Sequence, residues 1–272
     1  SDVYKRQIVK RYNNITGLWP ESPGYAFGTI NTIVSLALPM YKSGYDILND
    51  NPMIEKAALS VFPWSDSKGN IIVFGDSRGG AINYRCFENL LTYYSWTKNS
   101  EKVNLLKNVI SDGIKKGVYT RYNANWKDLI FNVPKLSGID STSINTMRMS
   151  YSKEHLMITM KNEDDEDPGL MALVYGGGLG KKHLSPNGLA IQLYGFGWAL
   201  APDASGYESY WSPDYIYHQS PVGTNTIVPG YDTGQIKINA MEPNIPDTCF
   251  VNPSYISENC QFVDVSANEK RR

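Results

Sequence analysis

At 272 residues the chain suits one large domain or two ordinary ones, and an apolar content of 42% leaves ample material for a core. Lys and Arg number 26 against 27 Asp and Glu, a formal net charge of −1, so no global field recruits nucleic acid or an anionic membrane. No apolar run approaches the ~20 residues that a membrane span needs, and three cysteines do not make a disulfide framework.

The chain opens on SDVYKRQ, which resembles translated adapter sequence and is set aside from fold reasoning. From about residue 22 to 119, apolar residues recur at helical spacing. One segment carries Ile30, Ile33, Val34, Ala37 and Leu38; a second Phe87, Leu90, Leu91 and Tyr94; a third Val103, Leu106, Val109 and Ile110. Breaks are expected at Trp19-Pro20, at Pro52, at Phe62-Pro63 and between Gly113 and Gly117. This half therefore predicts a run of antiparallel helix pairs, with Cys86 a buried thiol inside the second. GDSRGG at 75–80 has the look of a nucleophile or phosphate loop; GDSRG fits G-x-S-x-G in its letters, but the stretch lacks the Lys-Ser/Thr ending of a P-loop. Ser77 is not read as a nucleophile.

Residues 120–145 read as a connection. From about 146 onward the period becomes two, over 147–151, 156–160, 170–174, 189–194 and 235–240, with Gly, Pro and Asn between the runs. The acidic stretch 163–167 is expected at a hairpin tip, and GGGLG at 176–180 reads as a hairpin turn because no helix follows it. The expected fold class is α+β in two domains: helical over 1–119, a linker over 120–145, and antiparallel β-sheet over 146–272. Catalysis is then expected at the domain junction, where clefts favour ligands.

Residues 183–228 stand out for five tyrosines and two tryptophans around His183 and His218, in a chain holding 19 Tyr and 6 Trp. Rings with one polar handle suit a sugar-binding groove. The third histidine, His155, lies in a Lys-Glu-His turn and reads as a surface residue; no two histidines stand at the spacing of a zinc pair on a helix. Cys249 and Cys260 are candidates to pair across a loop in an oxidising compartment. Glycoside hydrolysis is disfavoured, since Glu21, Asp76 and Asp203 make no convincing facing pair.

Three stretches carry a family resemblance. The order H-x-S-x-N-x-L-x-x-x-L-Y-G-x-G from His183, L-x-P-D-x-x-G from Leu200, and Y-x-x-x-x-V-G-T-N-T from Tyr217 resembles the β-sheet half of the heparinase II/III-like polysaccharide lyases, whose pattern reads H-x-H-x-D, a later D-x-G, and A-H-N-T. WPESPGY at 19–25 resembles the family's W-x-E-x-P-x-Y segment, and FGDSRGG at 74–80 its glycine-rich stretch before the next helix. The resemblance spans roughly residues 18–240. It implies the C-terminal part of an incomplete (α/α) toroid followed by a β-sandwich or two-layer sheet domain, and β-elimination on a uronate-containing glycan such as a glycosaminoglycan, alginate or ulvan. It also implies a periplasmic or secreted location. The alternative is a non-catalytic glycan-binding or degenerate lyase-like protein.

Carried over position by position, the resemblance matches His183 to the catalytic histidine, since both lie eleven residues before the strand-ending tyrosine, here Tyr194. Sliding His183 onto the zinc position instead leaves Lys181 as the catalytic match and requires a two-residue insertion. In the first register Ser185 and Thr224 stand where the family has zinc-binding histidines, and only Asp203 keeps its place. No zinc is therefore expected, and Asp203, like Asp76, is read as structural. Tyr25 matches the toroid tyrosine and is read as general acid, with Tyr217 as candidate base. Arg78, His218, Asn225 and Trp211 are read as contacts to an acidic polysaccharide. The family's helper residues lie well upstream of the tyrosine, and only 24 residues precede Tyr25 here.

Overall fold

The computed structural model describes residues 17–19, 21–73, 77, 79–121, 134–136, 149–152, 157–162, 169–175, 190–202 and 223–226, together with the backbone of 248–251, 255–256, 261–262 and 265–268. Helices α1 (Pro23–Lys42), α2 (Met53–Leu59), α3 (Arg85–Trp96) and α4 (Ser100–Lys115) come first, with a 3-10 turn at Phe62–Trp64 and two short strands, β1 (Asn70–Ile71) and β2 (Gly80–Ala81). Strands β3 (Met149–Ser152), β4 (Met157–Asn162), β5 (Leu170–Tyr175), β6 (Ala190–Gly195) and β7 (Trp198–Ala201) follow, then the ribbon strands β8 (Thr248–Val251), β9 (Tyr255–Ile256), β10 (Gln261–Phe262) and β11 (Val265–Asn268). The chain is thus α+β. Among the described residues no helix is long and apolar enough to cross a membrane.

Two compact units emerge. One gathers 1–19, 26–69 and 81–146; the other gathers 20–25, 70–80 and 147–272. The segments 20–25 and 70–80, which flank helices in sequence, thus cluster with the strands.

In the helical unit the period that predicted the helices is the period of burial. Ile30, Val34 and Leu38 of α1, Phe87, Leu90 and Leu91 of α3, and Leu106, Val109 and Ile110 of α4 are all buried, each such side chain contributing about 1.5–3 kcal/mol. Cys86 is a buried free thiol, as expected. Asn99 caps α4 by accepting Lys102 N–H at 3.2 Å. Helix α4 ends at Lys115, inside the break expected between Gly113 and Gly117. Gly113 lies in its last turn and serves packing, because a Cβ there would overlap the ring of Tyr84. Glu88, 2% exposed, is held by Arg121 through Nε and Nη2 at 2.5 Å each and by Tyr119 Oη at 3.3 Å. A planar guanidinium matched to both carboxylate oxygens satisfies a charge that burial would otherwise make costly.

The other unit is built on a five-stranded sheet in the order β3-β4-β5-β6-β7, antiparallel throughout. Period-two alternation sends Met157 and Thr159 of β4, Met171, Leu173 and Tyr175 of β5, and Ala190, Gln192 and Tyr194 of β6 to one buried face. Register aligns Ser150, Thr159, Leu173 and Gln192 in one row across that face. Phe196 and Gly197 turn β6 into β7 with φ of 51° and 73°, the left-handed pair of a tight hairpin. Strand β7 was not evident from sequence, because Trp198, Ala199 and Leu200 are all exposed and do not alternate. The run 235–240 lies outside the described residues.

Candidate functional site

The sheet unit contains both segments that carry the resemblance in the helical half of the sequence, 20–25 and 70–80. Pro23 opens α1, where its missing N–H costs no helical bond and its fixed φ suits the first turn. Just before it, Glu21 and Ser22 are buried, and Ser22 N–H donates to Glu21 Oε1 at 3.2 Å. Tyr25 is the third residue of the helix, with 43% of its surface exposed. Its ring is therefore not a buried core ring.

Ser77 is buried and lies directly against Gly24, so that a Cβ at position 24 would overlap Ser77 Oγ. The same hydroxyl accepts Gly79 N–H at 3.4 Å. Gly79 itself has φ of 69°, and a Cβ there would stand 2.7 Å from Ile71 O and 3.0 Å from Val73 Cγ2. Two glycines thus allow two backbones to approach Ser77 and β1, which is the physical reason for a glycine-rich loop here. Ser77 is thus a buried packing residue against Gly24.

Gln192 fastens this loop to the sheet. It is 2% exposed on β6, donates from Nε2 to Val73 O at 2.9 Å, and accepts Tyr194 Oη at 2.5 Å on its own Oε1. Both ends of the amide are used, as a buried amide requires. Sequence reasoning passed over Gln192. Its signal was a polar residue at an inward position of the alternating run 189–194.

Asn225 donates from Nδ2 to Pro202 O at 2.9 Å, and its carbonyl accepts Ile191 N–H at 2.9 Å, which ties the 223–226 turn to β6 and to the end of β7. The adjacent Thr224 carbonyl accepts Thr226 N–H at 3.0 Å. His183, Tyr217, His218, Trp211, Arg78, Asp76, Asp203 and Ser185 lie outside the described residues, as does Cys260; the side chain of Cys249 on β8 does also. Of the nine site positions expected from sequence, the structure therefore describes Tyr25 and Asn225. For zinc, the donor set Ser185, Asp203 and Thr224 supplies one carboxylate and two neutral hydroxyls, which does not fit a metal held by imidazole and thiolate. Among the described residues no group of three or more His, Cys, Asp or Glu side chains could hold a metal ion.

No family model matches the chain, and no curated protein matches it. Solved structures do. A heparinase III, the BT4657 gene product, superposes with a TM-score of 0.59 at 16% identity over 97% of this chain and 36% of its own. The heparan sulfate lyase HepC from Pedobacter heparinus superposes with a TM-score of 0.59 at 12% identity over 98% of this chain and 36% of its own. The fold is therefore similar to part of these lyases, and this chain spans just over a third of their length.

Proposed function

We propose that the chain belongs to a polysaccharide lyase that cleaves a uronate-containing glycan by β-elimination. One observation carries the reading: the ESPGY and GDSRGG segments, separated in sequence, are gathered into one unit with the sheet by the Gly24–Ser77 approach and the Gln192–Val73 bond, in a fold similar to heparan sulfate lyases. Tyr25, with 43% of its surface exposed, directly follows Gly24, the residue that Ser77 packs against.

The chemistry follows from the substrate. The C5 proton of a uronate is too weakly acidic to be removed until the neighbouring carboxylate is neutralised. In this reading a donating His183 neutralises it, Tyr217 takes the C5 proton, and Tyr25 gives a proton to O4 as the C4–O4 bond breaks. A phenol with an ordinary pKa of about 10 is a poor base at neutral pH unless cationic charge lowers it. His218, next to Tyr217, supplies that charge when protonated. Asn225 holds its turn, while Arg78 and Trp211 bind the acidic chain. No step passes through a metal. A periplasmic or secreted location goes with a polymeric substrate.

The donor set at Ser185, Asp203 and Thr224 favours a second reading, a glycan-binding protein without turnover. Tyr25→Phe separates the two in the gene product that contains this chain. Under the lyase reading, binding of an acidic glycan persists while turnover falls about 10²–10⁴-fold, the usual worth of a positioned general acid. Turnover unchanged in Tyr25→Phe removes Tyr25 from the mechanism.

A further inference from the structure

The helical unit carries a polar cavity of about 380 Å³, bounded by the turn after α1, the start of α2, the end of α3 and the start of α4. Tyr25 stands at the opposite end of α1, seventeen residues before Lys42, or about 26 Å along the helix axis. None of the candidate catalytic residues lines the cavity.

Its polar groups are held in place. Buried Glu55 accepts Tyr94 Oη on Oε2 and Lys102 Nζ at 2.5 Å on Oε1. Asp46 accepts Tyr93 Oη at 2.7 Å and Asn49 N–H at 3.1 Å, both on Oδ1. Burial first, and then the neighbouring carboxylate, push both phenols above their ordinary range, so each stays a donor that fixes its acceptor. What remains is a set of unspent groups. Asp46 Oδ2 and the Asn49 amide have no partner among the described residues, Lys102 keeps two ammonium protons, and Asn99 spends only its Oδ1, on Lys102 N–H.

We propose that this cavity binds one neutral sugar residue through its adjacent hydroxyls. Each hydroxyl of a vicinal pair both gives and accepts a hydrogen bond, and the cavity offers a carboxylate acceptor beside ammonium and amide donors. The charges on its wall cancel: Asp46 and Glu55 against Lys56 and Lys102. A wall without net charge gives little Coulombic return for stripping water from a charged sugar, so an uncharged ring is favoured. The volume lies at the lower end of the range for small-molecule sites, the size for one ring rather than a chain. The site therefore differs from the proposed catalytic one in wanting an uncharged unit, and it would hold a glycan by a residue that the elimination chemistry does not touch.

The test is an amide-shift titration of the full chain with four probes: glucose, N-acetylglucosamine, glucuronate and glucosamine. A neutral sugar is expected to give saturable shifts at residues 46–52 and 93–102, with both charged sugars binding more weakly. Asp46→Ala should weaken that binding roughly tenfold or more, and Asn49→Ala severalfold, as loss of a charged and of a neutral hydrogen bond would. Tyr25→Phe should leave it unchanged. The proposal is overturned by no saturable shift with either neutral sugar, by charged sugars binding equally well, or by neutral-sugar shifts that survive Asn49→Ala undiminished. Asn49 is exposed on a turn, so its variant decides the matter even where Asp46→Ala fails to fold. Because the readout is binding, a negative result here leaves the lyase assay standing.

Discussion

Ser77 Oγ occupies the space where a side chain at Gly24 would begin. A single-atom vacancy thus lets the 70–80 loop lie against the turn that starts α1, one residue before Tyr25. Gly24→Val is expected to cost about 1–3 kcal/mol by overpacking a buried contact. The same change in a Ser77→Gly background should cost less than half as much, because the two sites share one volume. Thermal unfolding of the four proteins measures both values, and equal costs in the two backgrounds would show that the contact does not matter.

Gln192 links strand and loop across 119 residues of sequence. Gln192→Leu keeps the volume roughly constant but deprives Val73 O and Tyr194 Oη of their shared partner. The expected loss is about 1–3 kcal/mol, the cost of removing a buried hydrogen-bond partner from the Val73 carbonyl. A denaturant midpoint unmoved by Gln192→Leu would remove Gln192 from the anchor.

Glu88 and Arg121 form a buried, two-point ion pair in the helical unit. Arg121→Ala is expected to destabilise by about 3–5 kcal/mol, because it strands a carboxylate that is 2% exposed. Glu88→Gln in the same background should restore much of that loss, since a neutral amide tolerates burial where a charge does not. Denaturant unfolding of the single and double variants checks it; no recovery would mean that packing, not charge, dominates.

Tyr84 is 4% exposed and stacks on Tyr119 at 5.1 Å, 14° from parallel. Burial, and then the charge of Asp112, push the Tyr84 phenol up to about 12; burial and then the Glu88 carboxylate push Tyr119 up to about 12. The folded state therefore holds these protons more tightly than the unfolded chain, whose phenols titrate near 10. Their contribution is complete below pH ~10 and is lost as pH rises toward ~12. For Tyr84 the loss is on the order of 2–3 kcal/mol. Urea unfolding at stepped alkaline pH should show this decline in the wild type and a shallower one in Tyr84→Phe; parallel curves would contradict it.

The sequence made the helices α1, α3 and α4 and the strands β5 and β6 legible because each has a buried stripe that sets the period of its apolar residues, while β4, buried at Met157, Ile158 and Thr159 alike, was legible as an apolar run. It hid α2, seven residues long between Pro52 and the Phe62-Pro63 turn, because two turns of helix give too few repeats to register. The break between Gly113 and Gly117 was legible, but the packing role of Gly113, which lets the Tyr84 ring approach the last turn of α4, was not. Tyr25 was singled out by motif, and the structure shows it exposed at its helix start. Gln192 and the Gly24–Ser77 approach were not found, since contacts between distant segments leave no periodic trace. The rest of the expected site falls on positions outside the described residues.

The proposed activity is tested most directly by incubating the gene product that contains this chain with heparan sulfate, chondroitin sulfate, alginate and ulvan while following the ultraviolet absorbance of an unsaturated uronate. The β-elimination account predicts a rise on at least one of these glycans, and its loss in Tyr25→Phe with glycan binding retained. No rise on any of the four, or a rise that Tyr25→Phe leaves unchanged, would contradict it.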